Sequence, residues 1–493
     1  MEVLQVVSVA AAALVCGGGL IFGVVKRVNE WAYVSSLGRQ RAALLPPGDM
    51  GWPLVGQMWA FFRAFKFGRP DSFLARFISR FGRTGIYKTF IFGSPSIIVC
   101  TPETCKRVLT DDQHFIPGYP KATSKLMGNR SFHGISPAEH KRLRRLTAAP
   151  INGLEALTLF VSKIEDILGP SMEKWTESGQ PVALMTEMNK VTYMVITNIL
   201  FGANVDYDMQ KMESLFYDLA QGLISIPINF PGCTYHKALK ARRELVKILR
   251  ANLDERRRVK NKKERAIEEK DVLDLLMEVE DEDGEKLDEE TIIDVSLMFL
   301  LAGHETSAHA TMWAAIFLKE HPEILQKLKK EQEEIIRRRP PTQKGLTLKE
   351  MRQMNYLSMV VDETLRRGNL SFAVFREATA DVDIDGYLVP RGWRVVVYLR
   401  AIHVDPENYS KPEEFNPSRW EQTVKAKAGT FLPFGGGSKL CPGMDLAKLE
   451  MSIFLHHFVL HYDMERLNPN SPMVYLPGPR PSDHCLVNFK RNH

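Results

Sequence analysis

The chain has 493 residues, of which 44% are hydrophobic and 25% charged, a globular composition with ample apolar material for a large core. Its net charge of +6 is mildly basic, but lysine and arginine are not interleaved with aromatics as a nucleic-acid groove would require. A basic face toward an acidic protein partner or an anionic membrane is the better expectation.

Length alone suggests roughly three domains. No internal repeat or long low-complexity linker divides the chain, so one large catalytic body is equally compatible. The six cysteines, Cys16, Cys100, Cys105, Cys233, Cys441 and Cys485, form no CxxC pair. This excludes a disulfide framework or a zinc pattern and points to free thiols in a reducing compartment.

Val3 to Val25 is almost wholly apolar and is closed by Lys26 and Arg27. About 20 apolar residues suffice to span a bilayer as a helix. A cleaved signal peptide would carry positive charge ahead of the apolar run, where Glu2 stands instead. An uncleaved transmembrane helix over residues 1–27 is therefore expected, with the following chain in the cytosol. Residues 28–56 read as a linker ending in a proline-rich hinge, since Pro46, Pro47, Gly48, Gly51, Pro53 and Gly56 cannot continue a helix.

The remaining body, 57–493, reads as mainly α with small β sheets. "TGIYKTFIFGSPSIIVC" (84–100) has the runs and Gly-Ser-Pro break of a hairpin. The stretch from about 102 to 330 is mostly helical, interrupted by the turn-rich "NFPGCTYH" and the acidic "EVEDEDGEKLDEE" (278–290), a solvated loop. "KARRELVKILRANLDERRRVKNKKERAIEEK" alternates charges as an exposed helix does. A second strand cluster is expected at "DVDIDGYLVPRGWRVVVYL" (381–399).

Glu289 to Pro322 carries no proline before its last residue. About 33 helical residues reach about 50 Å, enough to cross a domain. The apolar centre predicts burial, yet it contains "AGHET", residues 302–306. Glycine, acid and hydroxyl in a buried helix each cost stability. Thr306 stands four residues after Ala302 and can bond its carbonyl. By residue types alone this is as well a satisfied core threonine beside a packing glycine.

"DETLRR" places Glu363 and Arg366 on one helical face, a spacing most often found in exposed pairs. Arg419 in "EFNPSRW" offers a third member for a buried network that spacing alone does not establish. Cys441 ends the glycine-dense "FLPFGGGSKLCPG" ahead of a long amphipathic helix. With Pro442 at the favoured first position, Cys441 is expected at the helix N-cap, where the dipole favours an anionic sulfur. The glycines allow close approach to a partner. An iron ligand, a catalytic nucleophile and a plain capping cysteine all remain open on residue types.

Taken together and in order, "HKRLRR", "AGHET", "ETLR", "FREA", "FNPSRW" and "FGGGSKLCPG" resemble the cytochrome P-450 heme-thiolate monooxygenases. The resemblance implies that family's single large fold and heme b, with Cys441 as the iron ligand. Phe434, Gly437, Lys439 and Gly443 would belong to the heme loop, and His140, Arg144 and Arg376 to the propionate contacts. Ala302 and Gly303 would line the heme, and Glu305 and Thr306 would relay protons. Glu363, Arg366 and Arg419 would form the structural network. Two departures stand out: Lys439 where Arg or His is usual, and His140 where Trp is usual. Lys439 keeps a cation but loses the planar fork.

Longer stretches, including "LPPGDMGWPLVGQMWAFFRAFK" and "GISPAEHKRLRRLTAAPINGLEAL", are similar to a plant subfamily, the ent-kaurenoic acid oxidases of gibberellin biosynthesis. That implies multistep oxidation of a diterpenoid acid, with a triterpene or steroid oxidase of the same subfamily as the alternative. Implied partners are molecular oxygen, a hydrophobic terpenoid, the membrane, and an NADPH-cytochrome P-450 reductase. The implied location is the endoplasmic reticulum membrane, single-pass, with the catalytic domain facing the cytosol; no nucleic acid is expected. The segments 118–136 and 368–374 correspond to the substrate cover, nominating Lys121, Lys125, Arg130, Phe372 and Val374.

Overall fold

In the computed structural model, residues 23–202, 209–223, 225, 227–260, 270–421, 428–476 and 478–492 are described. The expected anchor falls largely on residues outside these; among the described residues no helix is long and apolar enough to cross a membrane. The chain forms two compact units. The first comprises 1–118, 372–402 and 428–430, the second 119–371, 403–427 and 431–493.

The first unit is built on a six-stranded sheet, ordered Gly48–Asp49, Ile86–Ile91, Ser94–Val99, Arg394–Val397, Val374–Ala378, Phe115–Pro117. The expected hairpin is there, pairing Ile86 with Val99 and Ile91 with Ser94. The central strands are rich in Ile and Val and bury their ends on both faces, as interior strands do. The proline-rich segment is folded into this sheet, since Gly48 and Asp49 pair in parallel with Lys88 and Thr89. Asn29 secures it by donating from Nδ2 to Met50 O at 3.0 Å and Trp52 O at 2.5 Å. Helix Met58–Lys66 buries Phe61, Ala64 and Phe65 on one face. Its other face leaves Trp59 and Phe62 exposed, beside the exposed turn residues Leu54 and Val55.

The second unit is helical, with a three-stranded sheet of Val182–Ala183, Tyr462–Arg466 and Leu486–Arg491. The long helix is unbroken from Glu289 to Glu320, and the Asp288 side chain caps it by accepting from Thr291 N. Around it pack helices Leu184–Phe201, Asn355–Gly368 and Met444–His461. Their apolar faces merge into one core that includes Ile196, Leu300, Met312, Val360 and Phe454. Packing on all sides explains why the long helix is apolar nearly all round.

Candidate functional site

The long helix is buried from Thr291 to Leu301 and, save for half-buried Trp313, again from Ser307 to Leu318, but Ala302 and Thr306 are exposed. These two lie four residues apart and so share one face, where the helix opens midway along its length. The Thr306 hydroxyl donates to Ala302 O at 2.7 Å, as the spacing predicted. His304 and His309 bond Leu300 O and Glu305 O through Nδ1, and Thr311 bonds Ser307 O, each four residues back. Side chains thus lean on successive carbonyls while the helix stays continuous. The Glu305 carboxylate is half-buried and makes no hydrogen bond or ion pair among the described residues.

The glycine-rich loop begins beside Leu432, whose carbonyl accepts from Gly435 N at 3.1 Å. Gly435 and Gly437 take φ of +77° and +69°, which a side chain would resist. Cys441 N–H donates to Phe434 O at 3.1 Å and closes the loop. The thiol is free but is not the helix cap. The helix starts at Met444 with Gly443 as its N-cap, so Cys441 stands two residues upstream. Burial pushes the Cys441 thiol up, and this outweighs the downward pull of the Gly443 N–H and the Arg144 guanidinium. The helix end does not by itself make a thiolate here, as the sequence had suggested; a metal bond to the sulfur would.

Arg144 lies on helix Pro137–Asn152, which opens with a Ser136–Glu139 capping box. Its guanidinium sits over the Phe132 ring at 6.0 Å and has no ion pair or side-chain hydrogen bond among the described residues. His140, one turn earlier, is buried edge-on to the same Phe132. Lys439 Nζ lies 3.3 Å from Ser438 Oγ.

Glu363 and Arg366 are not the surface pair that spacing alone favours, because both side chains are fully buried. All five Arg366 N–H bonds are used: two go to the Glu363 oxygens, at 2.9 and 2.8 Å, and three to His403 O, Pro412 O and Glu414 O. Arg419 Nε and Asn416 N also donate to Glu363 Oε1, at 2.9 and 3.0 Å, and Trp420 Nε1 donates to Oε2 at 3.1 Å. A buried carboxylate with this many donors is satisfied. Sequence reasoning missed Trp420, His403 and Asn369; only the αL position of Asn369 after a helix end offered a local hint.

The remaining candidates fall partly in the second unit and partly in the first. Lys121 and Lys125 fall on the short helix Lys121–Met127, with Lys125 exposed. Arg130 is exposed, 3.9 Å from Glu139, and its backbone N–H bonds Asp294 at 3.0 Å. In the first unit, Phe372 packs at 5.3 and 4.9 Å on Phe61 and Phe65, and Val374 pairs with Val397. Arg376, on the same strand, is buried and bonds Phe375 O.

These features fit a heme. A midway-exposed helix face of Ala302 and Thr306, a single sulfur donor on a tight loop and a half-buried arginine without an anion match a flat dianion bearing one iron. No three histidine, cysteine or carboxylate side chains converge among the described residues as a protein metal cage requires.

The model of the family described as "Cytochrome P450" matches residues 46–479. An ent-kaurenoic acid oxidase of Oryza sativa is 50% identical over 485 residues, covering 98% of this chain and 96% of the relative. A 7,8-epoxymelianol synthase of Ailanthus altissima is 52% identical, covering 95% and 94%. A beta-amyrin 11-oxidase of Glycyrrhiza uralensis is 50% identical, covering 99% and 98%. The solved structure of retinoic acid bound cyanobacterial CYP120A1 superposes with a TM-score of 0.80 at 26% identity, covering 91% and 99%.

Proposed function

The chain belongs to the cytochrome P450 family, and we propose that this heme-thiolate monooxygenase oxidises ent-kaurenoic acid in successive steps. The observation that carries the substrate is the recurrence of ent-kaurenoic acid oxidases at 50–52% identity over 94–98% of the chain.

When bound, the heme supplies the oxygen activation and C–H oxidation. The chain's share is to hold and orient. Cys441 Sγ would hold the iron through a single thiolate. Arg144 would supply a propionate with a cation that has no ion pair among the described residues, and His140 and Lys439 are the further contacts proposed. Thr306 can release Ala302 O and turn its hydroxyl outward, and Glu305 stands one residue away to resupply its proton. Hydrogen bonds at that hydroxyl set where the proton is delivered.

Electrons are proposed to come from NADPH through a reductase. Residence on the endoplasmic reticulum membrane, body in the cytosol, draws support from the apolar run before Lys26. It also draws on exposed Trp59, Phe62, Leu54 and Val55 beside Arg63 and Lys66. Trp with flanking cations suits a lipid interface.

Microsomes carrying the chain and a reductase, fed ent-kaurenoic acid and a triterpene in parallel, test the substrate. Oxidised diterpenoid acid is expected. Turnover of the triterpene alone would overturn that assignment and favour the second reading, a triterpene oxidase. That reading rests on the comparable identity of the Ailanthus and Glycyrrhiza relatives.

A further inference from the structure

His403 is buried at 1% exposure between the Glu363–Arg366 network and the cysteine loop. Its carbonyl accepts from Arg366 at 2.8 Å. Its ring Nε2 lies 3.0 Å from Leu432 N, a backbone donor, so Nε2 must present its lone pair. Nδ1 then carries the proton and donates to Asn369 Oδ1 at 2.9 Å. Asn369 is held in that orientation because its Nδ2 donates to Arg366 O at 2.8 Å. Leu432 O and Phe434 O in turn receive Gly435 N–H and Cys441 N–H. One hydrogen-bonded line therefore runs from Glu363 to the residue that carries the thiol.

We infer that His403, as the neutral Nδ1–H tautomer, is a positioning residue for Cys441: its lone pair on Leu432 N–H sets the start of the loop that presents the sulfur. The imidazolium cannot do this, because both ring nitrogens are then donors. An aliphatic side chain leaves the half-buried Leu432 N–H without this acceptor.

This inference rests on the heme-thiolate reading and is tested on the full-length, heme-loaded chain in microsomes. The readout is the carbon monoxide difference spectrum of the reduced protein, which reports whether the iron still carries a thiolate, followed in time at mildly elevated temperature. Loss of one part-buried neutral hydrogen bond predicts that His403→Ala loses the thiolate signature about tenfold faster. This loss precedes unfolding followed by circular dichroism. His403→Gln, whose amide oxygen can accept from Leu432 N–H, is expected to stay close to the parent chain. His403→Ala decaying at the parent rate, or His403→Gln decaying as fast as His403→Ala, overturns the inference. Should His403→Ala fail to take up heme, Asn369→Ala decides. It frees the ring and is expected to accelerate the loss several-fold, and a parental rate overturns the inference. A parent chain that never shows the thiolate signature would instead overturn the heme-thiolate reading itself.

Discussion

Arg366 and Glu363 face each other through two N–H···O bonds, at 2.9 and 2.8 Å, with neither side chain exposed to solvent. The pairing is one turn long in sequence, yet it sits at the centre of a web reaching Asn416, Arg419, Trp420 and His403. Lysine cannot replace the fork, because three donors on one nitrogen cannot reach five acceptors. Arg366→Lys is expected to lower unfolding free energy by about 3–5 kcal/mol, the range for breaking a buried pair. Denaturant titration and the fraction of chain holding heme check this; a loss below about 1 kcal/mol, the scale of a surface pair, would contradict it.

Thr306 offers the exposed hydroxyl of the long helix. Thr306→Ala keeps the helix, since alanine is the better helix former, but removes the hydroxyl. Product formed per NADPH consumed should fall by roughly 10-fold or more, in the range of lost proton-transfer assistance. Heme content should be unchanged. Undiminished coupling would remove Thr306 from the proton path.

Glu450 is buried on helix Met444–His461, and burial lifts its carboxyl from 4.5 to about 8 despite a bond from Ser307. A carboxyl raised by folding contributes stability that is complete below the unfolded value of 4.5 and is lost as pH rises through about 8. Glu450→Gln keeps the shape and the neutral state at every pH. The variant should therefore gain on the parent chain as pH rises between those limits and stay ahead above them. Unfolding midpoints measured across that span check it, and parallel curves for the two proteins would show that Glu450 does not titrate this way.

A carboxylic acid substrate calls for a cation, and the proposed anchors are Lys121, Lys125 and Arg130. Neutral replacement of whichever one serves should weaken ent-kaurenoic acid binding by about tenfold, the worth of one charge-assisted bond. Substrate-induced spectral titration measures it. Unchanged affinity across all three variants would reject this group as the anchor.

Much of the architecture is legible in local pattern. The long helix was expected from Glu289 to Pro322 and runs from Glu289 to Glu320, because an acidic start and a terminal proline bracket an apolar run. The hairpin at Ile86–Val99 followed from β-branched runs around Gly-Ser-Pro. Burial was less legible. Glu363 and Arg366 have the spacing of a surface pair, and what buries them arrives from Pro412 to Trp420. The cap at Cys441 was misplaced because Pro442 signals a first turn that begins only after Gly443. His403 carries no pattern at all, since its ring partners lie 34 and 29 residues away.

The line of bonds from Glu363 through His403 to Cys441 also has a direction in time. Its donors and acceptors all lie between residues 363 and 441, whereas the open face at Ala302 and Thr306 and the waiting Arg144 precede them. A chain emerging from the ribosome amino end first thus displays its cation and its exposed helix face before the loop that would present the sulfur can be shaped. In the order of synthesis, every residue that shapes the sulfur-bearing loop thus follows those of the open helix face and Arg144.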